Sequence, residues 1–307
     1  MPAGRPDAPG ADVDVVIVTH DCAEHVTRCL HSLEAQAADV ALCAWVVDNA
    51  SRDGTAAAVA AFPWVRLRRD HVNRGFAAAC NTGARAGVAP LVLFLNPDTV
   101  LPAGSLAACV DALRATPGVV ALGPRLVDAH GRFDARCRRG FPTVWGAICF
   151  LTGLDRVLAD RRSRAYTMGW LPSGTATDVV ALSGAFMLCR RDALERAGGF
   201  DERFFMYAED IDLCVRLARA GGRVRYWPGA DVVHAGGGSG RNAASRAAFY
   251  RTMAPLVRLH RPGRATPLVA AAVAVLAEVG LRTERVLRPP PPIRLPGGRR
   301  RRRARGR

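Results

Sequence analysis

Val13–Thr19 reads VDVVIVT and Leu91–Asp98 reads LVLFLNPD. Each is a nearly continuous apolar run of strand length, the pattern of a β-strand covered on both faces. Each ends on polar residues, Thr19-His20-Asp21 in the first case and Asn96-Pro97-Asp98 in the second. Between them the chain alternates. Cys22–Leu33 places Val26, Cys29, Leu30 and Leu33 at helical spacing; Leu42–Asp48 (LCAWVVD) reads as a second strand, Thr55–Ala61 as a short helix, Trp64–Leu67 as a third strand, and Gly75–Ala86 as an Ala-rich helix. This βαβαβ order predicts an α/β fold with a mainly parallel central sheet and helices on both faces. Ligands of such sheets bind beyond the carboxyl ends of the strands, where Thr19, Asp48-Asn49 and Asn96-Pro97-Asp98 gather.

The second half is less regular. Pro142–Leu158 predicts a helix with loops, and Asp178–Leu188 (DVVALSGAFML) a strand interrupted at Ser183-Gly184. A helix is expected from Glu209-Asp210 to Ala220, with Ile211, Cys214, Val215 and Ala218 facing inward, followed by short strands at Arg223–Trp227 and Ala230–His234. Residues 1–11 read as a leader without core-forming residues or the apolar core of a signal peptide, which predicts a cytoplasmic protein.

The 307 residues carry a net charge of +16, and every one of the 43 Lys-or-Arg positions is Arg. Seven of these fall in Arg299–Arg307; removing them from the net +16 leaves +9. Scattered Arg without Lys reads first as a compositional bias, so an anionic partner needs local support. The nine cysteines form no CxxC pair and lie mostly in apolar segments, which argues for a reducing compartment and against a zinc site or disulfide framework. The apolar run Pro267–Leu281 is shorter than the roughly 20 residues a membrane span takes, and it contains Glu278.

Several residues carry chemistry, each beside a plainer reading. Asp98 ends a strand at the ligand edge, as a cation or nucleotide site requires, but Asn-Pro-Asp-Thr is also a β-turn sequence. Asp48, in VVDNASRDGT, divides the same way between ligand and turn. His234 ends a strand and enters a glycine run, the setting of a loop at a ligand, although a lone His is more often structural. Glu209, Asp210 and Asp212 crowd three carboxylates into four positions. Such a cluster calls for a cation or basic partner, and acids are also favoured at a helix start.

Seven pieces in order carry a resemblance: VVIVTHD, VVDNASRDGT, NRGFAAACNTG, LFLNPDTVL, GPRLVDAHGRF, the stretch from LSGAFML to AGGRV at 182–224, and VVHAGGGSG. Over roughly residues 13–240 the sequence resembles glycosyltransferase family 2, and within it the bacterial rhamnosyltransferase branch. The resemblance implies the GT-A fold, a Rossmann-like nucleotide-binding half (about 12–125) merged with an acceptor half (about 126–262) in one catalytic domain, 12–262. It places Thr19 and Asp48 at the nucleoside, Asn73 and Arg74 over base and ribose, and Asn96 and Asp98 at the donor diphosphate. Asp98 takes the last acid of the DXD motif, and Asn96 replaces the first. Asp98 and His234 are implied as ligands of a divalent cation, Mg²⁺ or Mn²⁺, and Asp210 as catalytic base. Gly184 and Glu209 are candidates on the acceptor side. Asp21 stands where relatives often have Asn.

The implied activity is inverting transfer of a sugar, rhamnose from dTDP-rhamnose, to a glycan or polyprenyl-linked acceptor in cell-envelope polysaccharide synthesis. UDP-galactofuranose, UDP-hexose or GDP-mannose are alternative donors on the same fold. A non-catalytic glycan-binding protein is disfavoured by the intact Asp48, Asp98, Asp210 and His234. A nucleic-acid-binding protein is disfavoured because no such module accompanies the Arg run. The stretch 263–288 is expected to form an apolar helix with basic flanks, suited to peripheral contact with an anionic membrane, and 289–307 a Pro/Arg-rich tail without core-forming residues.

Overall fold

The structure is a computed structural model that describes residues 10–141, 160–235 and 243–260, with scattered positions between 143 and 158 and between 267 and 278. The expected helix at 142–158, the stretch 263–288, the tail 289–307 and most of the leader 1–11 therefore lie largely or wholly outside the described residues.

Strand β1 (Val13–Thr19) is buried at every position. It pairs in parallel with β2 (Leu42–Asn49) on one edge and β4 (Leu91–Leu95) on the other. Strand β3 (Val65–Asp70) extends the parallel set beyond β2. It runs three residues past the expected Leu67, because Arg68, Arg69 and Asp70 keep the ladder although their side chains break the apolar pattern at an edge. Helix α1 (Ala23–Gln36) buries Val26, Cys29, Leu30 and Leu33, the stripe expected from their spacing. Helix α2 (Thr55–Ala60) is one short piece. Helix α3 (Phe76–Ala86) lies close on the sheet because its side chains are small: a Cβ at Gly83 would sit 2.5 Å from Val16 Cγ1.

Beyond β4 the sheet changes direction. After β5 (Thr99–Val100), helix α4 (Ser105–Ala115) and β6 (Val119–Val127), the chain makes a 3₁₀ turn at Ala135–Cys137 and the short strands β7 (Arg138–Arg139), β8 (Thr177–Asp178) and β9 (Ala181–Leu182). Strand β10 (Phe186–Arg190) then inserts antiparallel between β4 and β6. The segment read as one strand broken at Ser183-Gly184 is thus three strands, of which β9 leaves the main sheet to pair with β7. Helix α5 (Arg191–Arg196) and helix α6 (Glu209–Arg219) follow. The inward face of α6 is Ile211, Leu213, Cys214 and Leu217; Ala218, expected inward, is exposed, because the sheet lies nearer the Leu213–Leu217 side.

Arg223–His234 is one strand, β11, rather than two. It pairs in parallel with β6, with a register shift between Trp227 and Asp231. Pro228 lies in that interval and has no N–H to give the ladder, so the strand bulges there and resumes. Among the described residues the main sheet has nine strands, in the order β3-β2-β1-β4-β10-β6-β11-β5 with β8 on β11. Strand β6 spans residue 125 and pairs with β10 and β11, so the two halves expected to divide near that residue share one sheet. Helix α7 (Ala243–His260) packs on α6. None of the nine cysteines forms a disulfide.

A buried polar cluster anchors the far end of the sheet. Asp14, 2% exposed, accepts hydrogen bonds from Trp45 Nε1 (3.0 Å), the Ala89 amide (2.7 Å) and Arg191 (2.6 Å). Asp14→Ala would leave all three donors buried, the guanidinium among them. Loss of one partner of a buried ion pair costs about 3–5 kcal/mol, so urea unfolding is expected to show that loss with the slope unchanged. A loss under about 1 kcal/mol would show that the cluster behaves as a surface pair.

Candidate active site

The parallel register brings the strand ends to one edge. Thr19 stands opposite Asp48, and Ile17 opposite Leu95, so Asn96-Pro97-Asp98 emerges beside them. Asp48 is buried and supports its own turn: its Oδ1 accepts from the Ser51 hydroxyl, from the Ser51 amide at 3.3 Å and from Thr19 Oγ1 at 3.4 Å. The turn reading is therefore satisfied at Oδ1, while Oδ2 faces Arg69 at 3.8 Å. Asp21, at positive φ, accepts the amides of Arg52 (2.7 Å) and Asp53 (3.3 Å) and so ties the end of β1 to the loop after β2.

Asn73 and Arg74 are placed by Asn49. The Asn49 amide nitrogen donates to Asn73 Oδ1 (2.8 Å) and Gly75 O (3.1 Å), and its Oδ1 accepts the Arg74 amide (2.9 Å). The Arg74 guanidinium is committed to Asp70 and Thr82. Its side chain thus braces the loop from the outside.

Asp98 and His234 meet because the β5–β11 ladder sets His234 opposite Thr99 and the Ala235 amide on Asp98 O at 3.0 Å. His234 Nε2 lies 3.4 Å from Asp98 Oδ1, and Nδ1 lies 3.6 Å from Asp134 Oδ2. Burial works against the charged imidazole, yet the carboxylates of Asp134 and Asp98 raise it to about 9. Burial works to raise Asp98 and Asp134, but His234, joined at Asp134 by Arg136, holds both below their ordinary value. Asn96 is held through its main chain, its amide on Ala185 O at 3.0 Å. Among the described residues no three or more His, Cys, Asp or Glu side chains make a closed cation cage. Asp98 and His234 offer one oxygen and one nitrogen, which fits an open site completed by substrate phosphate and water.

Helix α6 delivers the acidic cluster. Tyr207 and Ala208 precede it at φ of 69° and 70°, a conformation costly for side-chain-bearing residues and found mainly where function demands it. Asp210 lies in a tight setting: Arg139 pairs with its Oδ2, which also accepts the Gly184 amide at 3.2 Å, and the Ile211 amide reaches Oδ1 at 2.8 Å. Gly184 thus orients Asp210 through its backbone, and a side chain there would press on Phe76 at 3.3 Å. The next residue, Ala185, receives the Asn96 amide and the Thr99 hydroxyl on its carbonyl. The Ser183–Ala185 loop therefore links the strand end bearing Asp98 to Asp210. Asp212 is fully buried between Arg216 (2.6 Å) and His260 Nε2 (2.7 Å), which clasps α7 to α6.

Asp134, Arg139 and His260 escaped the sequence reading. Asn49 was placed at the ligand edge, but its bracing of the Asn73–Gly75 loop was not foreseen. Asp134 and Arg139 lie in DARCRR, which has no recognisable spacing; their only signal was an Asp and several Arg in a segment that had to face the cluster at Glu209–Asp212.

An α/β sheet whose parallel strand ends meet a carboxylate-bearing helix across one loop is the layout of the GT-A glycosyltransferases. The chain belongs to Glycosyl transferase family 2, whose profile matches residues 14–197, and it is a glycosyltransferase. It is 36% identical over 254 residues to N-acetylglucosaminyl-diphospho-decaprenol L-rhamnosyltransferase of Mycobacterium tuberculosis, covering 77% of this chain and 80% of that one. It is 32% identical over 273 residues to the pre-mycofactocin glycosyltransferase of the same species, covering 87% of this chain and 52% of that one. Among solved structures, a mannosyltransferase from Pyrobaculum calidifontis in complex with GDP-Man and Mn²⁺ superposes with a TM-score of 0.58 at 23% identity, covering 94% of this chain and 78% of that one.

Glu209 is buried, its Oε2 has no hydrogen-bond partner among the described residues, and burial together with the neighbouring Asp210 raises it from 4.5 to about 8. Between those values the folded chain keeps a proton that the unfolded chain has lost, so this group's contribution to stability falls as pH rises. Glu209→Gln is neutral throughout. Its melting temperature is expected to match wild type near pH 4.5 and to exceed it increasingly toward pH 8. A gap that does not widen would show that Glu209 is ionised in the fold.

Proposed function

We propose that the chain transfers rhamnose from dTDP-rhamnose to a glycan or polyprenyl-diphosphate-linked acceptor, in a metal-dependent single displacement that inverts the anomeric centre. The observation that carries the reaction type is the Ser183–Ala185 loop, which sets Asp210 beside the strand end that bears Asp98 and its neighbour His234. The sugar and the lipid-linked acceptor rest on the mycobacterial relative, whose name states both.

Thr19, Asp48 and the Asn49-braced loop at Asn73–Gly75 form the nucleoside side of the cleft. Asp98 and His234 would hold the divalent cation, which supplies Lewis-acid neutralisation of the charge on the departing diphosphate. Asp210 takes the proton of the attacking hydroxyl. Its Oδ2 is occupied by Arg139 and Gly184, while among the described residues Oδ1 accepts only the Ile211 amide. A carboxylate oxygen has two lone-pair directions, so the acceptor hydroxyl is received at Oδ1. One base and no enzyme nucleophile among the described residues support a single displacement with inversion. A hexose donor such as GDP-mannose is the second reading, favoured by the GDP-Man in the archaeal structure.

The test is a panel of labelled nucleotide sugars with a polyprenyl-diphosphate N-acetylglucosamine acceptor. Transfer is expected from dTDP-rhamnose and is expected to cease in excess EDTA. Asp210→Asn should retain fold and donor binding and lose about 10²–10⁴-fold in rate, the usual worth of a general base. Transfer by Asp210→Asn within a few-fold of wild type removes the base assignment; full activity in EDTA removes the cation.

The reading extends to location, cytoplasmic and peripheral on the inner face of the plasma membrane. Among the described residues no helix is long and apolar enough to cross a membrane. The apolar run Pro267–Leu281 is flanked by Arg258, Arg261, Arg264, Arg282 and Arg285, with seven more Arg at the end. Each basic residue near an anionic surface adds about 1 kcal/mol. Full-length protein is expected to sediment with anionic liposomes at low salt and a chain ending near residue 262 is not; equal partitioning rejects peripheral attachment by this segment.

A further inference from the structure

His234 stands between two carboxylates, one at each ring nitrogen: Asp98 Oδ1 is 3.4 Å from Nε2 and Asp134 Oδ2 is 3.6 Å from Nδ1. The three side chains are 12%, 13% and 11% exposed for His234, Asp98 and Asp134, so water does little to orient the ring. An imidazole can give a cation only one nitrogen, and the group bonded to the other sets the tautomer and the tilt of the ring. Among the described residues the buried His234 Nδ1 has no hydrogen-bond partner at the present spacing, and Asp134 lies just outside that length. Asp134 itself is fixed. Its amide donates to Leu126 O at 2.9 Å, its Oδ1 accepts the Arg136 amide at 3.0 Å, and the Arg136 guanidinium grips both carboxylate oxygens at 2.8 Å.

We propose that Asp134 is the positioning residue of the cation site: it accepts the Nδ1 proton of His234, so that Nε2 is the nitrogen presented beside Asp98. This rests on the reading that Asp98 and His234 hold the cation. The 3₁₀ turn at Ala135–Cys137, which Asp134 caps, is then the device that brings the carboxylate to a strand end about a hundred residues later in the chain. Arg136 keeps the Asp134 carboxylate from swinging forward to join the first coordination shell.

The test is Mn²⁺ binding alone, read by the loss of free-ion signal in electron paramagnetic resonance, on the full chain and a double-mutant cycle between 134 and 234. Asp134→Ala is expected to weaken Mn²⁺ binding about 10–100-fold, the usual effect of removing a partner behind a metal-bound His. In a His234→Ala background the same change is expected to have no further effect. An equal loss in both backgrounds, or no loss in either, overturns the proposal and leaves Asp134 as the cap of its turn. If Mn²⁺ affinity is unmoved by His234→Ala itself, the cation-site reading fails, and with it the basis of the proposal. Should Asp134→Ala not fold, Asp134→Asn carries the same cycle. Its single oxygen can cap the turn or serve Nδ1, but not both, so it is expected to weaken Mn²⁺ several-fold and only while His234 is present.

Discussion

Strand β1 is covered on both faces and bonded along both edges, and that double constraint sets the position of everything at the ligand end. A strand so placed has no freedom to slip, since a shift of one residue would turn each of its side chains to the other face. Its parallel neighbours are therefore locked to the same level. Thr19 comes to rest opposite Asp48, and the turn Asn96–Asp98 emerges beside them. The Asp14 cluster secures the opposite end, where the charge of Arg191 is neutralised out of solvent.

From that fixed edge, coupling passes through both backbone and side-chain contacts. Gly75, at φ of 85°, lets the nucleotide-side loop lie directly on the loop before helix α6; a side chain there would collide with the Phe205 carbonyl, which instead accepts the Phe76 amide at 2.7 Å. At Gly184 a Cβ would lie 3.3 Å from the Phe76 ring and 4.0 Å from Asp210 Cβ. The close approach at Gly75 thus joins the Asn73–Gly75 loop to the segment before α6, and the segment Asp134–Arg139 joins Asp210 to His234 by meeting one at each end.

The first half of the fold was legible because burial on both faces and helical spacing are local patterns, and β1, α1, β2, α3 and β4 each displayed one. The insertion of β10 was not legible: FMLCR is apolar in either direction, so nothing in it states that it runs antiparallel between β4 and β6. Pro228-Gly229 suggested two strands where one bulged strand exists, because the pairing that carries β11 across the bulge comes from β6. At the site, Asp98, Asp210 and His234 were found through motifs, whereas Asp134 and Arg139 were not. Their meaning lies in which distant carboxylate or imidazole they face, and that is a property of the folded sheet alone.

Strand β10 has a further consequence, for the order in which the protein can be built. It fills a slot between β4 and β6, and those two strands have no pairing with each other. A chain emerging from the ribosome has made both before residue 186 appears, so for that interval β4 has one open edge and β6, whose partners β10 and β11 come later, has no strand beside it. Unpaired edges invite association with other chains, and the vulnerable period lasts through the synthesis of some sixty residues between the end of β6 and the start of β10. The length and composition of that connecting stretch are thus a matter of nascent-chain safety.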